Sequence, residues 1–116
     1  MDLTGRPQII KKYLTDLVGS WDDYNARQDA EYLSHRLLFD DHQGSYLVLR
    51  YGWVKEKYLY SVSIHIDLVS DAVWIQCNNT EEEIVDVLSR SGIPADDIVL
   101  GFIPPEYRGI YTYGAG

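Results

Sequence analysis

The chain has one cysteine (Cys77), one methionine, two phenylalanines and four prolines in 116 residues. A lone cysteine excludes an internal disulfide and leaves a thiolate-based zinc site without a second thiolate. It also agrees with a reducing compartment, so the expected location is the cytoplasm. Bases are scarce as well: 10 Lys and Arg face 18 Asp and Glu, for a formal net charge of −8. Binding to nucleic acid relies on Lys and Arg neutralising phosphates, so direct contact with duplex DNA is not expected. An acidic surface suits a basic protein partner or simple solubility. No apolar run approaches the roughly 20 residues of a membrane helix. The opening residues Met1, Asp2, Leu3, Thr4 and Gly5 lack the basic and apolar regions of a secretory signal. No repeat, low-complexity tract or boundary is visible, so residues 1–116 are expected to form one domain.

The organising stretch is residues 46–74. Within it Tyr58, Tyr60, Val62, Ile64 and Ile66 alternate with Leu59, Ser61, Ser63, His65 and Asp67. Period two with one apolar side predicts a half-buried, antiparallel strand. A second strand over 45–54 sets Leu47, Leu49, Tyr51 and Trp53 against Tyr46, Val48, Arg50 and Gly52. Residues 31–40 alternate too, and 72–77 make a short fourth strand. Asp40, Asp41, His42, Gln43 and Gly44 form a turn cluster, Lys55, Glu56 and Lys57 a hairpin connection, and Val69, Ser70 and Asp71 a further turn. Short links favour a meander.

Two helices flank these strands. Ile9, Ile10, Tyr13, Leu14, Leu17, Val18 and Trp21 recur at three- and four-residue spacing, predicting a helix over about 6–21. Pro7 lies in its first turn, Thr4 or Gly5 serves as cap, and Gly19 and Ser20 mark the end. Residues 22–30 are read as an irregular connection. Thr80, with Glu83 three residues on, forms a capping box for a second helix that buries Ile84, Val85, Val87 and Leu88. Gly92 is its expected C′ residue, with Pro94 just beyond. Residues 94–97 suit one helical turn and 98–100 an extended piece. The fold is therefore expected to be α+β: a helix, a four-stranded antiparallel meander sheet, a helix and an irregular C-terminal tail. Its core should hold Leu14, Leu17, Leu49, Tyr51, Val62, Ile64, Ile75, Val85 and Leu88.

Several short segments in order carry a resemblance. They are Tyr51, Gly52, Trp53; His65, Ile66, Asp67; Trp74, Ile75, Gln76 with Thr80 and Glu81; Gly92, Ile93, Pro94; then Asp97 through Phe102 and a closing Tyr111, Thr112. The set resembles the XisI family of cyanobacterial proteins. One departure is Asn78 and Asn79 where that pattern has an Asp-Gly turn, which weakens any metal at that turn. The family is named for controlling excision of the fdxN element, a DNA rearrangement of heterocyst development, in association with a recombinase and a nuclease-like companion, XisH. The resemblance thus implies a non-enzymatic regulatory factor whose partner is an XisH-like protein. It carries over no catalytic residue.

His65 and Asp67 share a strand face and, with His35 or Asp40, suggest a metal-dependent hydrolase. Metal sites need three or four converging groups, and no metal or cofactor is expected here. Ser61 or Ser63 beside His65 suggests a nucleophile and base, but no Gly-x-Ser-x-Gly elbow is present. The favoured site is the sheet's second face, read as Tyr32, Ser34, Arg36, Tyr46, Val48, Arg50, Ser61, Ser63, His65, Trp74 and Gln76. Within it Arg36, Tyr46, Arg50, His65, Trp74 and Gln76 form the expected protein interface, because Tyr, Trp and Arg dominate interface hot spots. A direct DNA-binding excision factor is the alternative. Exposed edges at the first or fourth strand also leave a homo-oligomer open.

Overall fold

The computed structural model describes residues 5–28 and 33–108. The readings that fall on Thr4, Tyr32 and residues 109–116 lie outside them. Helix α1, Arg6–Gln28, buries Ile10, Leu14 and Val18, spaced four apart, with Ile9, Tyr13, Leu17 and Trp21 packed beside them. Pro7 occupies its first turn, as expected. The helix does not stop at Gly19 and Ser20. A mid-helix glycine costs only about 1 kcal/mol, and Gly19 faces open space. The next turn is held by Trp21, whose ring lies 5.1 Å from that of His35. Tertiary packing therefore outweighs the local stop signal.

Strands β1 (Ser34–Asp40), β2 (Ser45–Val54), β3 (Lys57–Val69) and β4 (Ala72–Asn78) pair antiparallel in chain order. Helix α2, Ile84–Arg90, and a 3₁₀ turn at Ala95–Asp97 then lead to β5, Ile98–Leu100. This last strand pairs parallel to β4, with Val73 opposite Ile98 and Ile75 opposite Leu100. The sheet thus has five strands and mixed sense, not four antiparallel ones. The extended piece 98–100 is apolar, and Ile98 is buried. With α2 crossing over the sheet, the chain returns parallel and β4 gains a partner on its second edge. Arg6 ties the layers together at one end: its guanidinium pairs with Asp97 at 2.8 Å and donates to the Asp71 carbonyl.

The capping box does not form. Asn78 Oδ1 accepts from both the amide and the hydroxyl of Thr80, and Thr80 Oγ1 accepts from the Glu82 amide. These short side chains build a polar turn in place of a first helical turn. Helix α2 starts only at Ile84, with Glu83 at its N-cap and no side-chain cap bond. Its C-terminus is as expected. Gly92, at φ +114°, donates to Ser89, and Ile93 donates to Leu88, the two bonds of a Schellman motif.

Both helices share one core with one side of the sheet: Tyr46, Val48, Ile64, Ile66, Val73, Ile75 and Ile98 pack with Ile10, Leu14, Ile84, Val85 and Leu88. Leu49, Tyr51 and Val62, expected in that core, lie on the far side. The first of two register shifts explains the exchange. Between β2 and β3, Val48 pairs with Ile64 but Leu49 pairs with Val62, so Ser63 bulges out of the ladder. Between β3 and β4, His65 pairs with Cys77 but Ile66 pairs with Ile75, so Gln76 bulges. Each bulge inserts one residue, and alternation changes side at that point. Ile64 and Ile66 therefore face the helices, whereas Tyr58, Tyr60 and Val62 on the same strand face away.

Candidate protein-interaction face

The face of the sheet turned away from the helices carries a row of aromatic pairs. Trp53 stands opposite Tyr58 with rings 5.3 Å apart, and Tyr51 opposite Tyr60 at 6.3 Å. The two-residue connection between β2 and β3 fixes these pairs, since Val54 is opposite Lys57. Tyr60 is 66% exposed and Trp53 60%. Leu38 is exposed on β1, and Leu47 and Leu49 continue the apolar surface on β2. Arg36 donates through Nε to the Tyr51 hydroxyl at 2.8 Å and stays exposed. No described helix covers this surface. An exposed apolar patch with an arginine at its border has the composition of a binding face.

Along β3 and β4 the same face turns polar. Ser45 Oγ donates to Asp67 Oδ1 at 2.7 Å, His65 Nε2 lies 2.8 Å from that oxygen, and Gln76 Nε2 donates to Asp67 Oδ2 at 3.2 Å. Burial works against the ionised Asp67, but bonds from Ser45, His65 and Gln76 outweigh it and hold its pKa below the usual carboxylate value. A carboxylate depressed in this way adds stability above its unfolded pKa, near 3.9, and loses it as pH falls through the lower folded value. Asp67→Asn is therefore expected to lower stability by about 1–2 kcal/mol at neutral pH. The deficit should shrink as pH falls below about 4. Urea unfolding of both proteins across that range measures it, and a deficit independent of pH would show that charge is not its source. Beside this network Arg108 lies over the Trp74 ring, 5.1 Å from its centroid.

The structure divides the six residues of the expected interface. Arg36, His65, Trp74 and Gln76 lie together on the open face. Tyr46 does not: it is 1% exposed and packs under α1, because β2 turns its even positions toward the helices. Arg50 also faces the helix side, where it lines a cavity with Trp21. Val48, Ser61 and Ser63 go with them. His65 and Asp67 do meet, but His35 is on the opposite face, bonded to Asp22, and Asp40 binds its own turn. No group of three or more metal-ligating side chains converges among the described residues. The aromatic row of Tyr51, Trp53, Tyr58 and Tyr60 was missed as a surface. The hairpin signal shows that these residues share a face; only the bulge decides that the face is open.

The family model of the XisI protein matches residues 1–115. The chain belongs to the XisI family. Two solved structures from Anabaena variabilis are similar to it. One is a XisI-like protein, 26% identical, with a TM-score of 0.65 over 90% of this chain and 97% of the relative. The other, described as fdxN element excision controlling factor XisI, is also 26% identical with a TM-score of 0.65, over 88% of this chain and 97% of the relative. No curated protein matches the chain. Among the described residues no helix is long and apolar enough to cross a membrane.

Proposed function

We propose that this XisI-family chain is a non-enzymatic regulatory factor of a DNA-rearrangement system of the fdxN-excision type. It acts by binding a protein partner, an XisH-like protein, across the open face of its sheet. The observation that carries the reading is the uncovered aromatic row bordered by Arg36, on a chain whose net charge of −8 opposes direct contact with phosphates. Trp, Tyr and Arg are the side chains that supply most binding energy when a partner excludes water from them. The polar network around Asp67 then forms the rim.

Co-purification with an XisH-like protein, read by light scattering on a sizing column, tests this. A stoichiometric complex is expected at micromolar concentration. Tyr60→Ala and Arg36→Glu should each weaken it at least about tenfold, since hot-spot truncations cost 2 kcal/mol or more. Both residues are exposed, so the fold should survive. Absence of a complex, or unchanged affinity in both variants, would overturn the reading and make direct DNA binding the next measurement.

A further inference from the structure

On the helix side of the sheet, near the C-terminal part of α1, lies a cavity of about 520 Å³. Its walls include Trp21, Tyr24, His35, Arg50, Ser63 and Thr80. The volume falls within the range of small-molecule sites. Three of its polar groups have hydrogen-bonding capacity that no described residue takes up. Ser63, the bulge residue of β3, is 1% exposed, and its hydroxyl has no hydrogen-bond partner among the described residues. Arg50 donates only Nε, to Ser61 Oγ at 2.9 Å; its two terminal nitrogens bond to no described residue. His35 has a side chain only 9% exposed and is bonded at Nδ1 to Asp22, which leaves Nε2 without a described partner.

A buried hydroxyl without a partner is unfavourable, and in native proteins strain, a functional role, a water or an ion accounts for such groups. A single water would satisfy Ser63. It would not match the two terminal nitrogens of Arg50, whose planar fork fits two oxygens of one oxyanion. Among the described residues, Arg50 is the sole lysine or arginine on the wall, and the one carboxylate there, Glu81, is exposed. The apolar part of the wall comes from Trp21, Tyr24, Leu33 and Val54. A charged fork beside aromatic rings suits an acid with a flat, apolar body.

We propose that this cavity is a binding site for a small planar organic anion, held by its carboxylate or phosphate at Arg50 and Ser63, with its ring against Trp21 and Tyr24. The proposal is independent of partner binding. The cavity and the aromatic row lie on opposite faces, so either can fail alone.

The test is an NMR titration of the full chain with indole-3-acetate, adenosine monophosphate and inorganic phosphate. Each of the three tryptophans gives an indole N–H signal, and Trp53 and Trp74, on the far face, serve as controls. Saturable movement of the Trp21 signal alone is expected with one or both organic probes. The stronger of the two identifies carboxylate or phosphate as the preferred acid. Inorganic phosphate should bind much more weakly, having no ring. Arg50→Gln should weaken binding at least about tenfold. Ser63→Ala should weaken it severalfold without lowering the melting temperature, because it removes an unpartnered hydroxyl. No Trp21 response to any probe at about 10 mM (free energy near −3 kcal/mol), or equal affinity in a folded Arg50→Gln protein, would overturn the proposal.

Discussion

Tyr46→Ala is expected to destabilise the protein by about 4 kcal/mol, the range for removing a large buried ring. Tyr46 is 1% exposed, stands opposite Ile66 in the sheet and meets Phe39 edge-on at 5.8 Å. Its hydroxyl donates to Asp41 Oδ1 at 2.9 Å. Burial, reinforced by that carboxylate, pushes its pKa up to about 12, so it remains a donor at neutral pH. Alanine would leave a void against α1 and take one of the two donors from Asp41, the other being Lys11. Tyr60→Ala, on the exposed face, should cost less than about 1 kcal/mol. Urea unfolding of the two variants compares the faces directly. Equal losses would contradict the assignment of Tyr46 to the core and Tyr60 to the surface.

The second large effect is expected at Gly44→Ala, about 3 kcal/mol. Gly44 closes the turn between β1 and β2 at φ +70°, where an L side chain is strained. A Cβ there would lie 2.8 Å from the Leu68 carbonyl oxygen. That oxygen belongs to backbone held in the sheet, and the Leu68 amide itself donates to Gly44 at 2.7 Å. Relief of the clash would pull this bond apart. Gly92 also has positive φ, but a Cβ there meets only Ile9 Cδ1, at 3.9 Å. Gly92→Ala should therefore lose about 1–3 kcal/mol from backbone strain alone, its φ of +114° lying outside the left-handed region that L residues visit. If Gly44→Ala costs no more than about 1 kcal/mol, the cost of the left-handed conformation by itself, the contact with Leu68 contributes nothing.

Local pattern located the elements well and their facing badly. The stripe from Ile9 to Trp21 gave α1, the alternations gave four strands, and Gly92 with Pro94 gave the end of α2. The turn at 94–97 and the extended piece at 98–100 were also legible, though not the parallel pairing of that piece. Parallel pairing depends on where α2 carries the chain, which is a tertiary matter. The facing of β2 and β3 was misread for one reason. Counting back from the hairpin pairs Val48 with Ser63, and the structure pairs it with Ile64. A bulge leaves no mark in hydrophobicity when the extra residue is a serine among serines. Every reading that depended on uninterrupted alternation moved with it: Leu49, Tyr51 and Val62 left the core, and Tyr46 and Arg50 left the interface. Arg36, His65, Trp74 and Gln76 kept their common face. They lie on β1, or on the stretch past the Ser63 bulge.

The bulge at Ser63 also lets one apolar pattern serve two surfaces. Tyr58, Tyr60, Val62, Ile64 and Ile66 fall on a single alternation, yet the spare residue sends the first three outward and the last two to the helices. Exchanging Ser63 for another small residue leaves the ladder as it is. Deleting it would set Val62 beside Ile64, two residues that already face opposite ways, so the ladder would become regular with every side chain still on its side. A one-codon deletion there would alter neither the net charge nor the presented surface. One serine outside the ladder is what divides a single hydrophobic stripe between a core and an open face.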